Sequence, residues 1–184
     1  EGGGNTKSTR AVLRQGMDKF LAELKDLARS KSIHWKLVCC GGRDQAVKYF
    51  NNARSTDSTM ITLLLVDAEG PVLGGPRDHL IVRDKWNLDS ALDDDIHLMV
   101  QTMETWIVAD RNALQAYYGQ HFGGNALPKA DNLESISKKT IADALDQATR
   151  NARPKGVYHK IKHASDLLMK IDPQVVLKRC PNCE

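Results

Sequence analysis

The chain has no run of eighteen apolar residues, and its start lacks the series of charged, apolar and small residues that marks a secretory signal. Neither a membrane span nor export is indicated, and the sequence predicts a soluble, cytoplasmic protein. An excess of one charge is also missing: 26 Lys and Arg against 23 Asp and Glu leave a formal net charge of +3. The total therefore makes no case for nucleic acid, and any such case rests on local basic faces. Internal repeats and low-complexity segments are absent as well. Cysteine is scarce, with Cys39-Cys40 and Cys180-x-x-Cys183 as its only occurrences. Four thiolates suffice for one zinc, but neighbours in a strand point to opposite faces, which suits a shared tetrahedral site poorly. Buried or incidental thiols are the preferred reading over a structural zinc or a redox Cys-x-x-Cys pair.

What the sequence does contain is one strongly apolar stretch with two acids behind it. Met60, Ile61, Thr62, Leu63, Leu64, Leu65 and Val66 have almost no polar relief, which fits a strand covered on both faces, as in parallel α/β sheets. Asp67 then stands at the carboxyl end of that strand, and Glu69 projects to the same side if the extended geometry continues. Ligands of open α/β sheets bind outside the carboxyl ends of the strands. Two acids there repel each other unless a hard cation or a shared proton compensates, and oxygen ligands of this kind suit Mg²⁺. With 184 residues, 41% of them hydrophobic, the chain is long enough for one sizeable core. A single domain over 1–184 is expected, with an α/β core over 1–122 and a mainly helical extension over 123–184.

Glu1-Gly2-Gly3-Gly4-Asn5-Thr6-Lys7-Ser8-Thr9 reads as a glycine turn feeding a helix capped by Asn5, Thr6, Ser8 or Thr9. Leu13, Met17, Phe20, Leu24 and Leu27 form its apolar face, while Arg10, Arg14, Lys19, Lys25 and Arg29 form a basic face better read as solvated than as phosphate-bound. Lys7-Ser8 is like the end of a P-loop, but Thr6 and Glu1 stand where its two glycines are required. The amides of Gly3, Gly4 and Asn5 remain able to hold an anion. A first residue of Glu, with glycines and a helix directly behind it, reads as a segment of a slightly longer chain. A strand in front of Glu1 would place that residue, like Asp67, at a strand's carboxyl end.

Further strands are expected over Ile33 to Cys40 and Ile96 to Gln101, with a small one over Leu80 to Val82. Asp44 to Arg54 reads as a helix with Val47 and Phe50 inward. This alternation predicts a mostly parallel sheet flanked by helices. Asp93-Asp94-Asp95 reads as a solvated acidic turn before a strand. Glu104 falls near the carboxyl end of the strand before it, or serves as a first-turn acid complementing a helix dipole, and Asp110 is placed to cap the helix Arg111 to Tyr118. Helices follow over Ser137 to Arg150, over Ser165 to Ile171 and after Asp172-Pro173. Lys155 to His163 is a basic stretch containing Tyr158, read either as a phosphate contact or as an exposed loop with one buried tyrosine.

Taken together, Glu1-Gly2 and Asp67-Ala68-Glu69-Gly70 resemble the Toprim signature, a Glu-Gly after the first strand and an Asp-x-Asp after the third. Glu1-Gly2-Gly3-Gly4, Gln101-x-x-Glu104-x-Trp106-x-x-x-Asp110, Tyr158-x-Lys160 and Arg179-Cys180-Pro181 together resemble an uncharacterised bacterial Toprim-like family. Its members are often encoded beside ATPases of the structural-maintenance-of-chromosomes (SMC) or overcoming-lysogenization-defect (OLD) type. Here Glu69 replaces the second Asp of Asp-x-Asp, and Gly4, Asn5 and Thr6 stand where a further acid is usual.

The resemblance implies a Toprim-like α/β fold and hydrolysis of DNA or RNA phosphodiesters with Mg²⁺ or Mn²⁺, in concert with an SMC- or OLD-like ATPase in bacterial antiviral defence. Glu1, Asp67, Glu69 and Glu104 are then the metal ligands, Glu104 alternatively a general base, and Lys160 stabilises charge on the leaving phosphate. A non-catalytic Toprim-like subunit that docks on the ATPase is the alternative. An independent nucleotide-binding enzyme rests on the defective P-loop alone.

Overall fold

The computed structural model describes residues 6–56, 59–88 and 91–183. It is a mixed α/β fold in which nine helices surround a small parallel sheet among those residues: α1 (Lys7–Phe20), α2 (Ala22–Ser30), α3 (Arg43–Thr56), β1 (Leu64–Asp67), α4 (Pro76–Asp84), β2 (Ile96–Met99), α5 (Met103–Ala109), α6 (Arg111–Tyr118), α7 (Lys138–Thr149), α8 (Lys160–Leu168) and α9 (Pro173–Arg179). β1 and β2 pair in parallel, Leu64 opposite Ile96 and Asp67 opposite Met99. The pairing runs on past the strand ends, with Ala68 donating to the Met99 carbonyl at 3.0 Å and Glu69 to that of Gln101 at 2.7 Å.

Because side chains alternate along a strand, the sheet feeds two cores. Leu64, Val66, Ile96 and Leu98 pack with Val47 and Phe50 of α3 and Leu80 of α4. Leu65 and Met99 face the larger core, which draws residues from α1 and from α5 to α9. By the same alternation Asp67 shares the side of Leu65, toward the helices that come last in the chain. None of the described helices is long and apolar enough to cross a membrane.

Helix boundaries follow local chemistry. Thr6, Asp110, Ser137 and Asp172 cap α1, α6, α7 and α9 by accepting from backbone amides two or three residues on. Pro173 and Pro76 occupy first-turn positions where a missing N–H costs nothing.

Several expectations are corrected. Of the run Met60 to Val66 only the second half is strand: β2 offers partners for Leu64 to Asp67, and Ile61 ahead of it is 76% exposed. Residues 33–40 form neither strand nor helix; Trp35, Leu37 and Cys39 are half-buried, and no described strand lies beside them to complete a ladder. The mostly parallel, larger sheet is therefore two parallel strands among the described residues. Leu80-Ile81-Val82 belongs to α4, since Pro76 opens a helix there and Lys85, in left-handed conformation, ends it. The first helix breaks at Leu21, so Leu24 and Leu27 fall on α2, which has no buried residue, and are more than half exposed.

α8 begins at Lys160 rather than at Ser165, and it is held by α1. Val12 and Gly16, one turn apart, share a face. The Ser165 hydroxyl donates to the Val12 carbonyl, and a Cβ on Gly16 would lie 2.7 Å from the Ser165 carbonyl oxygen. Gly16→Ala is accordingly expected to cost roughly 1–3 kcal/mol in chemical denaturation, because backbone and not a movable side chain blocks the methyl. Gly74→Ala, where the Cβ position has no neighbour within 4 Å, is expected to stay within about 0.5 kcal/mol.

Candidate functional site

The end of β1 is fixed before any ligand is considered. The Arg43 guanidinium, at the start of α3, donates through Nε to the Asp67 carbonyl at 3.0 Å and through its two terminal nitrogens to Asp84 at 2.7 and 2.6 Å. It also lies over the Trp86 ring, 4.6 Å from the centroid. This bidentate fork ties α3, α4 and the strand end into one unit.

The Asp67 side chain, with no exposed surface, turns to the other face. Its Oδ1 accepts from the Met103 amide at 2.7 Å, in the first turn of α5, and its Oδ2 lies 3.3 Å from Lys160 Nζ. Glu104, the next residue of α5, is buried too, and its Oε2 lies 3.3 Å from the same Nζ. The Tyr158 hydroxyl donates to Glu104 Oε1 at 3.1 Å. One ammonium is thus shared between two desolvated carboxylates.

Burial pushes the Asp67 carboxyl above its ordinary range, with the Lys160 charge pulling the other way and Glu104 reinforcing the rise. Tyr158 is held far above the usual phenol range by burial and then by the Glu104 carboxylate, so it stays protonated and donates. The site combines a strand end, a helix start and the first residue of another helix: Asp67, Glu104 and Lys160.

Glu69 is not part of it. The extended geometry stops at Asp67, and Glu69 adopts φ of 65°, the left-handed region, which turns its side chain away. Its carboxylate pairs closely with Lys138 at the start of α7 and lies 4.0 Å from Arg83 of α4. Burial acts upward on this carboxyl, but Lys138, Arg43 and Arg83 bring it below the ordinary range. Glu1 lies outside the described residues. Among those residues no group of three His, Cys, Asp or Glu side chains is arranged to hold a metal; of the expected carboxylates, Asp67 and Glu104 converge on Lys160.

The other motifs distribute between site and scaffold. Gln101 accepts from the Lys138 amide at 3.1 Å, which joins the start of α7 to the strand end. Trp106 stacks on Phe20, centroids 5.3 Å apart. Asp110 caps α6 and accepts from the Asp172 amide at 3.0 Å. Arg179 binds the carbonyls of Ala109, Pro128 and Ala130.

All four cysteines are free thiols. Burial first, and then the Glu134 charge, push Cys180 and Cys183 up to about 12, so both are protonated at neutral pH. The acidic turn Asp93–Asp95 is structural: Asp95 pairs with Arg54 at 2.6 Å and Asp93 accepts from the Arg77 amide. A cleft of about 310 Å³ runs from this turn along Ile96, His97 and Leu98 to Asn182, at the amino end of β2, and contains no member of the Asp67 group.

Sequence reasoning named Tyr158 without giving it a role, and overlooked Lys138 and Arg83 entirely. The spacing Tyr158-x-Lys160 was the available signal for Tyr158. Nothing local marks Lys138, 69 residues away from its partner.

The start of α8 also carries a titratable support. His163 is buried one turn beyond Lys160, and its Nδ1 accepts from the His159 amide at 3.1 Å and lies 3.1 Å from the Tyr118 hydroxyl. Tyr117 and Tyr158 also face the ring. Burial and then Lys155, His159 and Lys162 hold His163 below the ordinary imidazole value of about 6.5, with Asp166 opposing. The unfolded chain therefore takes up this proton first, and stability is lost as pH falls from 6.5 through the folded value. Thermal unfolding is expected to show a steeper loss for wild type than for His163→Gln over that window; equal slopes contradict the assignment.

Comparison with curated proteins and with solved structures finds no match. A family model does match, over residues 1–184. The chain therefore belongs to the family described as domain of unknown function DUF4276.

Proposed function

We propose that this chain is a metal-dependent, Toprim-type nuclease subunit that hydrolyses phosphodiester bonds of nucleic acid at Asp67, Glu104 and Lys160. In this reading it works with an SMC- or OLD-like ATPase in bacterial defence against phage or mobile elements. The observation that carries the proposal is the pair of buried carboxylates sharing one ammonium at the carboxyl end of a parallel strand.

The donor chemistry fits Mg²⁺ or Mn²⁺. Hard oxygen ligands are required, and Mg²⁺ is commonly held by one or two carboxylates, with waters and substrate phosphates completing its shell. Asp67 and Glu104 supply that pair. A bound ion would polarise the phosphate and lower the pKa of an attacking water. The Met103 amide fixes the Asp67 carboxylate, and Tyr158 orients that of Glu104. Lys160, 31% exposed at its side chain, is the most exposed of the three and could offset negative charge on a phosphate. Glu104 can also take a proton from water as general base.

A second reading has its own support. Lys160 already offsets part of the charge of the two carboxylates, which suits a Toprim-like binding subunit with no chemistry of its own. Cleavage assays separate the two, using the chain alone and with its neighbouring ATPase, Mg²⁺ or Mn²⁺, and DNA and RNA. Asp67→Asn and Glu104→Gln are expected to reduce cleavage by roughly a hundredfold or more, since several kcal/mol of transition-state stabilisation go with the ion. Cleavage equal to wild type sinks the mechanism. No cleavage by any form, together with stable co-purification of the ATPase, selects the binding subunit.

A further inference from the structure

The Glu69 carboxylate is held by side chains from two other elements. Lys138 Nζ, from the start of α7, pairs closely with it, and Arg83, from the last turn of α4, pairs closely with Asp84 through one terminal nitrogen and lies 4.0 Å from Glu69 through the other. The cations are 47% and 35% exposed at their side chains, whereas Glu69 is 20% exposed, so the acid sits beneath two cations that reach solvent. Lys138 is anchored at its own backbone by Gln101. Glu69 is held in register by its amide, which donates to the Gln101 carbonyl at 2.7 Å.

The backbone gives a second, independent observation. Glu69 has φ of 65°, a region that few residues other than glycine adopt. Such strain persists when surrounding contacts impose it, and it clusters at binding and switch sites. Here it delivers a carboxylate to a pair of cations two residues beyond Asp67, outside the strand end where ligands of α/β sheets bind.

We propose that Lys138 and Arg83 form a seat for a backbone phosphate of the nucleic acid, and that Glu69 is an internal anion occupying that seat until the strand displaces it. The identity of the ligand rests on the reading of the chain as acting on nucleic acid. A phosphodiester matches what Glu69 offers, a single negative charge spread over two acceptor oxygens, and the seat lies two residues along the chain from Asp67. In this proposal Glu69 competes with nucleic acid for the two cations and is not a metal ligand.

The test is equilibrium binding of a fluorescent oligodeoxynucleotide, and of the same sequence as RNA, in EDTA over a range of salt. Each neutralised phosphate adds about −0.7 to the slope of log K against log salt for a single strand and about −0.9 for a duplex. Glu69→Gln is expected to bind several-fold more tightly than wild type at low salt, with a slope steeper by roughly one. Adding Lys138→Met and Arg83→Met to Glu69→Gln should return the slope to the wild-type value, and Glu69→Asp should keep wild-type binding. Glu69→Gln binding no better than wild type, with its circular dichroism unchanged, overturns the seat, as does failure of every form to bind either probe. Because no metal or cleavage is involved, tighter binding by Glu69→Gln without any nuclease activity would sink the nuclease reading alone. Cleavage by wild type with no gain in Glu69→Gln binding would sink the seat alone.

Discussion

Burying one carboxylate is costly, and burying two side by side is tolerable only with a positive charge between them. At the end of β1 that charge is Lys160, 3.3 Å from both Asp67 and Glu104. Much of the helical architecture can be understood as holding these three side chains at that separation. Asp67 is set by the strand and by Arg43, Glu104 by the first turn of α5, and Lys160 by α8. The last of these is the farthest in sequence and needs the most support. That support comes from the other end of the chain, where Gly16 lets α1 approach the backbone of Ser165.

The same constraint explains why the two ends of the sequence share one core. Phe20 of α1 stacks on Trp106 of α5, two residues from Glu104, while Leu167 and Leu168 of α8 are fully buried in the cluster that contains both rings. A shift of α8 on α1 therefore moves Lys160 relative to both acids. Burial raises the Asp67 carboxyl despite its cation, so keeping an acid at this buried strand end works against its ionised form. Such conflicts between stability and local chemistry are expected where a site does something other than fold.

Much of this was legible in the sequence where the signal is local. The cap at Asp110, the helices starting at Ser137 and after Asp172, the inward Val47 and Phe50, and Asp67 at a strand end all follow from residue type and spacing. Glu69 was misplaced because period-2 reasoning holds only while the backbone stays extended, and the left-handed turn that ends it is imposed by contacts from Gln101 and Lys138. The stretches Met60 to Leu63 and Ile33 to Cys40 have strand composition, yet a strand also needs a partner, which composition does not supply. Leu80 to Val82 show the converse: β-branched residues lie inside a helix that Pro76 starts. The convergence of Lys160 on Asp67 spans 93 residues, and no pattern within one segment encodes it.

The central claim is that Asp67 and Glu104 form a cation site that Lys160 fills and a divalent ion fits. Thermal unfolding of Lys160→Met in EDTA and in Mg²⁺ or Mn²⁺ tests it most directly. Removing the ammonium leaves two buried carboxylates uncompensated, a loss of up to about 3 kcal/mol in EDTA, which the divalent ion should largely restore, and restore less well once Asp67→Asn is added. A Lys160→Met protein as stable as wild type in EDTA, or one whose stability is indifferent to the ion, would contradict the account.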